Sequence, residues 1–287
     1  MIIDDHNHAY YHGHDCSKML ENMDRYHIDK TWLLTWETPE GEWDPATGWC
    51  VSRVTRDAVV PLDATLEYIR EAPDRFVLGY VPDPRKADAC NRLRAAAKIH
   101  DVKICGELKL RMMYDNPDAL RLYRLAGELG MPVLMHFDYE YATGKDFPRP
   151  NWWYGGGIDC LERVLKACPD TNFIGHAPGF WAHLSGDDKY LTEAYPQGPI
   201  LPGGRIIELL DRYPNLYCDM SAGSGRRALS RDLAFSKKFL TDYHDRVLYG
   251  RDYFDNQHQE LLESLELDAS VLEDIYCNNA LRLIHEL

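Results

Sequence analysis

Short apolar runs that end in a metal-binding type of residue recur along this chain, and helical patterns separate them. The first run, Met1-Ile2-Ile3-Asp4-Asp5-His6-Asn7-His8, ends in two histidines one residue apart. Val133-Leu134-Met135-His136 follows a Gly-Met-Pro turn, and Asn172-Phe173-Ile174-Gly175-His176 follows Cys168-Pro169-Asp170. Val247-Leu248-Tyr249-Gly250-Arg251-Asp252 follows a charged helical stretch. Ile104-Cys105-Gly106-Glu107-Leu108-Lys109 has the same form, with a carboxylate near its end. Runs this short, rich in β-branched or aromatic residues and bounded by turn residues, predict strands.

The pattern predicts eight strands, near residues 2–6, 31–35, 76–80, 104–110, 133–137, 172–175, 216–220 and 247–250. Helical periodicity fills the intervals. Residues 117–130 carry Leu120, Leu122, Leu125 and Leu129, with Gly130 as a stop. Residues 158–167, 203–213 and 269–283 repeat the helical pattern, while the stretch after the second strand is irregular. Alternating β and α units predict a parallel sheet covered by helices. Eight such units in 287 residues match one (β/α)8 TIM barrel, and with no linker or low-complexity tract a single domain over residues 1–287 is expected.

The active site of such a barrel lies at the C-terminal ends of its strands. His6, His8, Glu107, His136, His176 and Asp252 all fall at predicted C-terminal ends. Side chains at i and i+2 of a strand share a face, so His6 and His8 project together and can hold one ion. If that ion is zinc, the ring nitrogens sit about 2.0–2.1 Å from it. Glu107 and Lys109 likewise share a face. Glu107 reads as a ligand, as an acid or base beside one metal, or as half of an ion pair with Lys109 or Arg111. His136 and His176 read as ligands, with polarisation of a substrate carbonyl as a second role for His176. Asp252 touches metal and water in this reading. Zinc lowers the pKa of its water to about 7, and a carboxylate there takes the proton as hydroxide attacks and returns it to the leaving group.

The ordered set resembles the amidohydrolase superfamily. Asp4-Asp5-His6-Asn7-His8 is similar to its D-x-H-x-H signature. Gly250-Arg251-Asp252-Tyr253 resembles its G-[ST]-D-[YW] motif, with arginine in place of the small hydroxyl residue. Asn279-Ala280-Leu281-Arg282-Leu283 resembles the N-A-x-R-L ending of the amidohydrolase-related branch, also called amidohydrolase 2. The resemblance implies a metal-dependent TIM-barrel hydrolase and a divalent metal, one ion or two. Zinc is expected first, with manganese or iron as alternatives. It implies a bridging carboxylated lysine or glutamate on the fourth strand when two ions are held. It also implies scission of an amide, ester or lactone bond in a small molecule. Decarboxylases and hydratases of small carboxylic acids in the same branch are the competing expectation.

Lys109, Arg111 and Arg251 lie beside the proposed ligands and are expected to bind a substrate carboxylate or phosphate. Trp152, with Trp153 and Tyr154, belongs to a long loop on the same side and is expected to line the substrate pocket. Trp36, Trp43 and Trp49 lie after the second strand, and packing or a homodimer contact suits these loops equally. His12-Gly13-His14 reads as a mobile loop. Ser224-Gly225-Arg226-Arg227 is a weak candidate for an anion.

A net charge of −14 argues against nucleic acid as a partner, which needs clustered lysine and arginine. No apolar stretch approaches the roughly 18 residues of a membrane span. The N-terminus shows no basic region or apolar core of a signal peptide, so a cytoplasmic protein is expected. Eight cysteines without a C-x-x-C pair read as reduced, buried thiols.

Overall fold

The computed structural model describes residues 1–42, 50–138 and 153–286. Eight parallel strands form its centre: β1 (Ile3–Asn7), β2 (Lys30–Leu34), β3 (Phe76–Gly79), β4 (Cys105–Leu108), β5 (Val133–His136), β6 (Phe173–His176), β7 (Leu216–Asp219) and β8 (Val247–Leu248). Each neighbours the next in chain order. Two seams close the ring. Tyr80 N donates to Ile104 O at 2.9 Å between β3 and β4, and Asp5 N donates to Tyr249 O at 2.9 Å between β8 and β1. The result is the (β/α)8 barrel expected from the alternation.

Helices α1 (Cys16–Arg25), α2 (Leu62–Glu71), α3 (Ala89–His100), α4 (Pro117–Glu128) and α5 (Ile158–Ala167) follow the first five strands. The short α6 (Pro178–Trp181) and α7 (Arg205–Arg212) follow β6; α8 (Ala222–Ser230) and α9 (Leu233–Asp242) follow β7. After β8 come α10 (Gln257–Ser264) and a last helical stretch over residues 269–283, with one wide turn at Asp274–Asn278. Local chemistry sets the ends. Asn116 caps α4 by accepting from Asp118 N at 2.9 Å, and Pro117 occupies the first turn. Gly130, at φ 72, then takes the left-handed conformation that stops the chain from continuing as helix.

The strands alternate between two apolar layers. Ile3, Trp32, Leu34, Val77, Ile104, Leu134, Ile174 and Leu248 fill the barrel interior. Leu108, Met135, Phe173, Leu216 and Val247 face the helices. Truncating a fully buried interior leucine such as Leu134 to alanine costs about 2–5 kcal/mol by this packing. All eight cysteines are free, and burial pushes the Cys16 and Cys160 thiols up to about 12, which suits inert thiols. Among the described residues no helix is long and apolar enough to cross a membrane.

Candidate metal centre

Strand alternation alone does not place the first two histidines. Ile3 points into the barrel, and Asp4 points outward to Arg251 and α1. Strict alternation would then send His6 outward as well. The pairing register of β1 with β2 slips between Asp4 and Asn7, and beyond the slip His6 and His8 both face inward. A matching slip in β4 lies between Cys105 and Leu108, around Glu107. In β5 and β6, His136 and His176 are direct register partners and so share the inner face. Beyond β8, Gly250 and Asp252 face inward and Arg251 outward.

The six inward residues converge. His6 Nε2 and His8 Nε2 are 3.3 Å apart. Glu107 Oε2 lies 3.6 Å from His6 Nε2 and 3.3 Å from His8 Nε2. Asp252 Oδ1 lies 3.9 Å and 3.6 Å from the same two nitrogens. His176 Nε2 is 3.9 Å from Glu107 Oε1 and 4.0 Å from Asp252 Oδ2. His136 Nδ1 is 2.7 Å from Glu107 Oε1. Three overlapping donor groups result: His6, His8 and Glu107; His6, His176 and Asp252; Glu107, His136 and His176.

Hydrogen bonds behind the rings fix the tautomers. Leu34 O can only accept, so His8 carries its proton on Nδ1, donating at 2.9 Å. His6 Nδ1 donates to Asp219 Oδ2 at 2.7 Å, and His176 Nδ1 lies 3.0 Å from the same oxygen. The Nε2 lone pairs of all three rings therefore point at the centre. Two lone pairs held 3.3 Å apart repel unless a proton or a metal cation lies between them. Four ligands about 2.1 Å from a tetrahedral ion lie about 3.4 Å from one another, which the 3.3–3.6 Å spacing of His6, His8 and Glu107 reproduces. Asp252 Oδ1 is buried there without a hydrogen-bond partner. The donor set fits a divalent cation.

The charges agree. Burial would lower the His6 imidazole, but Asp252, Asp219 and Glu107 hold it well above its ordinary value. Burial would raise Glu107, but His136, His6 and His8 hold it well below the usual carboxylate range. Asp219 is likewise held down against burial, by His176 and His6. His176 is lowered, first by burial and then by the charge of His6.

Above the cluster opens a cavity of about 230 Å³, as bounded by the described residues. Its lining includes Tyr11, Lys109, His136, Asp138, His176 and Asp252, with Ala222 and Ser224 from the start of α8. Such a volume suits a molecule smaller than a typical drug. Lys109 reaches it as expected, its Nζ 4.0 Å from the Trp36 ring centroid. Burial, then the charge of Asp252, pushes the Tyr11 phenol well above its ordinary value, so it remains an O–H donor.

Two expected substrate-binding residues lie elsewhere. Arg251 is fully buried outside the barrel wall, its Nε 2.8 Å from Asp4 Oδ2 and its Nη1 2.8 Å from Asn22 Oδ1. Residues adjacent to Gly250 and Asp252 in an extended chain must face the other way. Arg111 lies outside the cavity lining, beside Tyr154, and its backbone N donates to Glu42 Oε2 at 3.3 Å. Trp152, Trp43 and Trp49 lie outside the described residues. The His12-Gly13-His14 segment is packed: His14 stacks on Phe254 at 3.5 Å and His12 meets Tyr253 edge-on at 4.7 Å. Of the Ser224-to-Arg227 run, Ser224 reaches the cavity and Arg227 covers the Tyr195 ring at 4.5 Å. Sequence reasoning missed Tyr11, Asp138 and Asp219. Asp219 carried the same signal as the ligands, a carboxylate at the end of a short apolar run.

A family model described as amidohydrolase matches residues 3–285. No curated protein matches the chain by sequence. Among solved structures, 2,6-dihydroxybenzoate decarboxylase from Rhizobium is 14% identical with a TM-score of 0.60, over 99% of this chain and 98% of that one. A dihydroxybenzoic acid decarboxylase from Polaromonas with bound manganese is 15% identical with a TM-score of 0.58, over 93% of this chain and 85% of that one. A probable 2-pyrone-4,6-dicarboxylic acid hydrolase from Acinetobacter baumannii, with citric acid bound, is 13% identical with a TM-score of 0.60, over 99% of each chain. At such identities the likeness speaks to the fold alone.

Proposed function

Because the chain belongs to the amidohydrolase family, we propose that it is a metal-dependent hydrolase of a small molecule, in which two divalent ions would share Glu107 as a ligand. The observation that carries this reading is the split of the Glu107 carboxylate. Its Oε2 belongs with His6 and His8, at 3.6 Å and 3.3 Å, while its Oε1 lies 2.7 Å from His136 Nδ1. His6, His8, Glu107 and Asp252 would hold one ion, and Glu107, His136 and His176 the other. Zinc suits these nitrogen and carboxylate donors, and manganese or iron suit them as well. Divalent ions there would polarise a carbonyl oxygen and acidify water.

The chain's own groups then move the proton and hold the substrate. Asp252, with Oδ1 unpartnered in the cluster, takes the proton of the attacking water and delivers it to the leaving group. Tyr11 donates its phenol proton to the substrate. The Lys109 ammonium binds a substrate carboxylate at the cavity wall.

A second reading, decarboxylation or hydration of a small carboxylic acid, draws support from Lys109 in the cavity and from the named decarboxylases among similar structures. Substrate panels separate the two. Metal-loaded protein is incubated with lactones, esters and amides while acid release is followed, and with ring carboxylates while carbon dioxide is followed. The hydrolase reading predicts acid release that falls about 10²–10⁴-fold in Asp252→Asn. Carbon dioxide release without any hydrolysis overturns it in favour of the second reading.

A further inference from the structure

We infer that Asp219 is the positioning residue for both halves of the cluster, one carboxylate oxygen orienting a histidine of each. Its Oδ2 accepts from His6 Nδ1 at 2.7 Å, lies 3.0 Å from His176 Nδ1, and accepts from Ser221 Oγ at 2.7 Å. Its Oδ1 accepts from Ser221 N at 2.7 Å. The residue is fully buried at the end of β7. Trp181 Nε1 donates to its backbone O at 2.9 Å, which pins the main chain there.

His6 cannot turn without losing its 2.7 Å bond, and His176 Nδ1 meets both Asp219 Oδ2 and Ser221 Oγ, each at 3.0 Å. The two ring centroids are 4.4 Å apart, and the shared oxygen sets the planes of both. The other two histidines do not touch Asp219: Leu34 O lies behind His8 at 2.9 Å, and Glu107 Oε1 lies beside His136 Nδ1 at 2.7 Å. One buried charge thus serves two imidazoles that belong to different ions in the two-ion reading on which the metal readout below rests. The segment after β8 leaves room for it: a Cβ on Gly250 would lie 2.7 Å from Asp219 Oδ1.

Asp219→Asn keeps the shape and removes the charge. Metal-free protein is titrated with Mn²⁺ by calorimetry. Both apparent affinities are expected to weaken about 10–100-fold, the usual effect of losing a residue that orients a ligand. Ser221→Ala removes the 3.0 Å contact of Ser221 Oγ with His176 Nδ1 but leaves both contacts to the Asp219 carboxylate in place, and it keeps both affinities near wild type. Weakening of only one ion, or of neither, overturns the proposal. Histidine-labelled protein loaded with Zn²⁺ gives a second readout by NMR. In the wild type, the Nδ1 protons of His6 and His176 resonate downfield against a carboxylate. In Asp219→Asn both move upfield together while that of His8 stays. If the variant does not fold, the wild-type spectrum decides, and absence of either carboxylate-bonded proton removes the assignment. If wild-type protein takes up one ion only, the two-ion reading falls. The spectrum then decides Asp219 by itself, two such protons keeping the assignment and fewer removing it.

Discussion

Arg251 Nε lies 2.8 Å from Asp4 Oδ2, and both side chains are fully buried. The backbone N of Arg251 donates to Asp4 Oδ1 at 2.8 Å, so the contact joins β1 to the segment after β8. Removing one partner of a buried pair strands the other charge in the interior. Asp4→Ala is therefore expected to lose about 3–5 kcal/mol. The double variant with Arg251→Met should recover much of that loss, since no charge is left unpaired. Urea denaturation of metal-free protein measures both. A loss below about 1 kcal/mol for Asp4→Ala would show that the pair behaves like a surface contact.

Gly250 tests how closely β8 approaches the carboxylates. A Cβ there would lie 2.1 Å from Asp5 Oδ1, 2.7 Å from Asp219 Oδ1 and 3.0 Å from Ser221 Cβ. These neighbours are buried. Gly250→Ala is expected to cost about 1–3 kcal/mol by overpacking. It should also weaken metal binding, because Asp219 moves with its histidines. Thermal unfolding and metal titration on one preparation check this. Unchanged stability and affinity together contradict the packing described.

Much of this was legible in the chain. Six residues at the ends of short apolar runs meet in one cluster, because the barrel collects the C-terminal ends of its strands. Lys109 reaches the cavity for the reason its spacing from Glu107 implied. Arg251 departs from the expectation because nearness in sequence is not nearness in space: it lies on the opposite face from Asp252, buried against Asp4. The slips in β1 and β4 were not legible. They arise from pairing with neighbouring strands, and no local pattern records them. Asp219 was visible as a strand-end carboxylate, but its link to His6 spans more than 200 positions and only the closed barrel makes it.

His6 makes metal uptake depend on pH. In the metal-free protein, burial alone would lower its imidazole, but the charges of Asp252, Asp219 and Glu107 hold it well above its ordinary value. With the folded value above the unfolded one of about 6.5, the stability this group adds is complete below that pH. It is lost as pH rises through the folded value. A metal needs the neutral ring, so binding at pH 7 displaces the proton, and affinity climbs with pH over the same window. Calorimetry in buffers of different ionisation enthalpy should count about one proton released per chain from His6. His6→Gln should abolish that release. Binding heats independent of buffer would contradict the assignment.

The measurement that bears most directly on a two-ion centre is metal content per chain, by inductively coupled plasma mass spectrometry on protein purified without a histidine tag or chelator. Glu107 bridging two donor sets predicts two equivalents in the wild type and at most one in Glu107→Gln. One equivalent in the wild type, or two retained by Glu107→Gln, would contradict it.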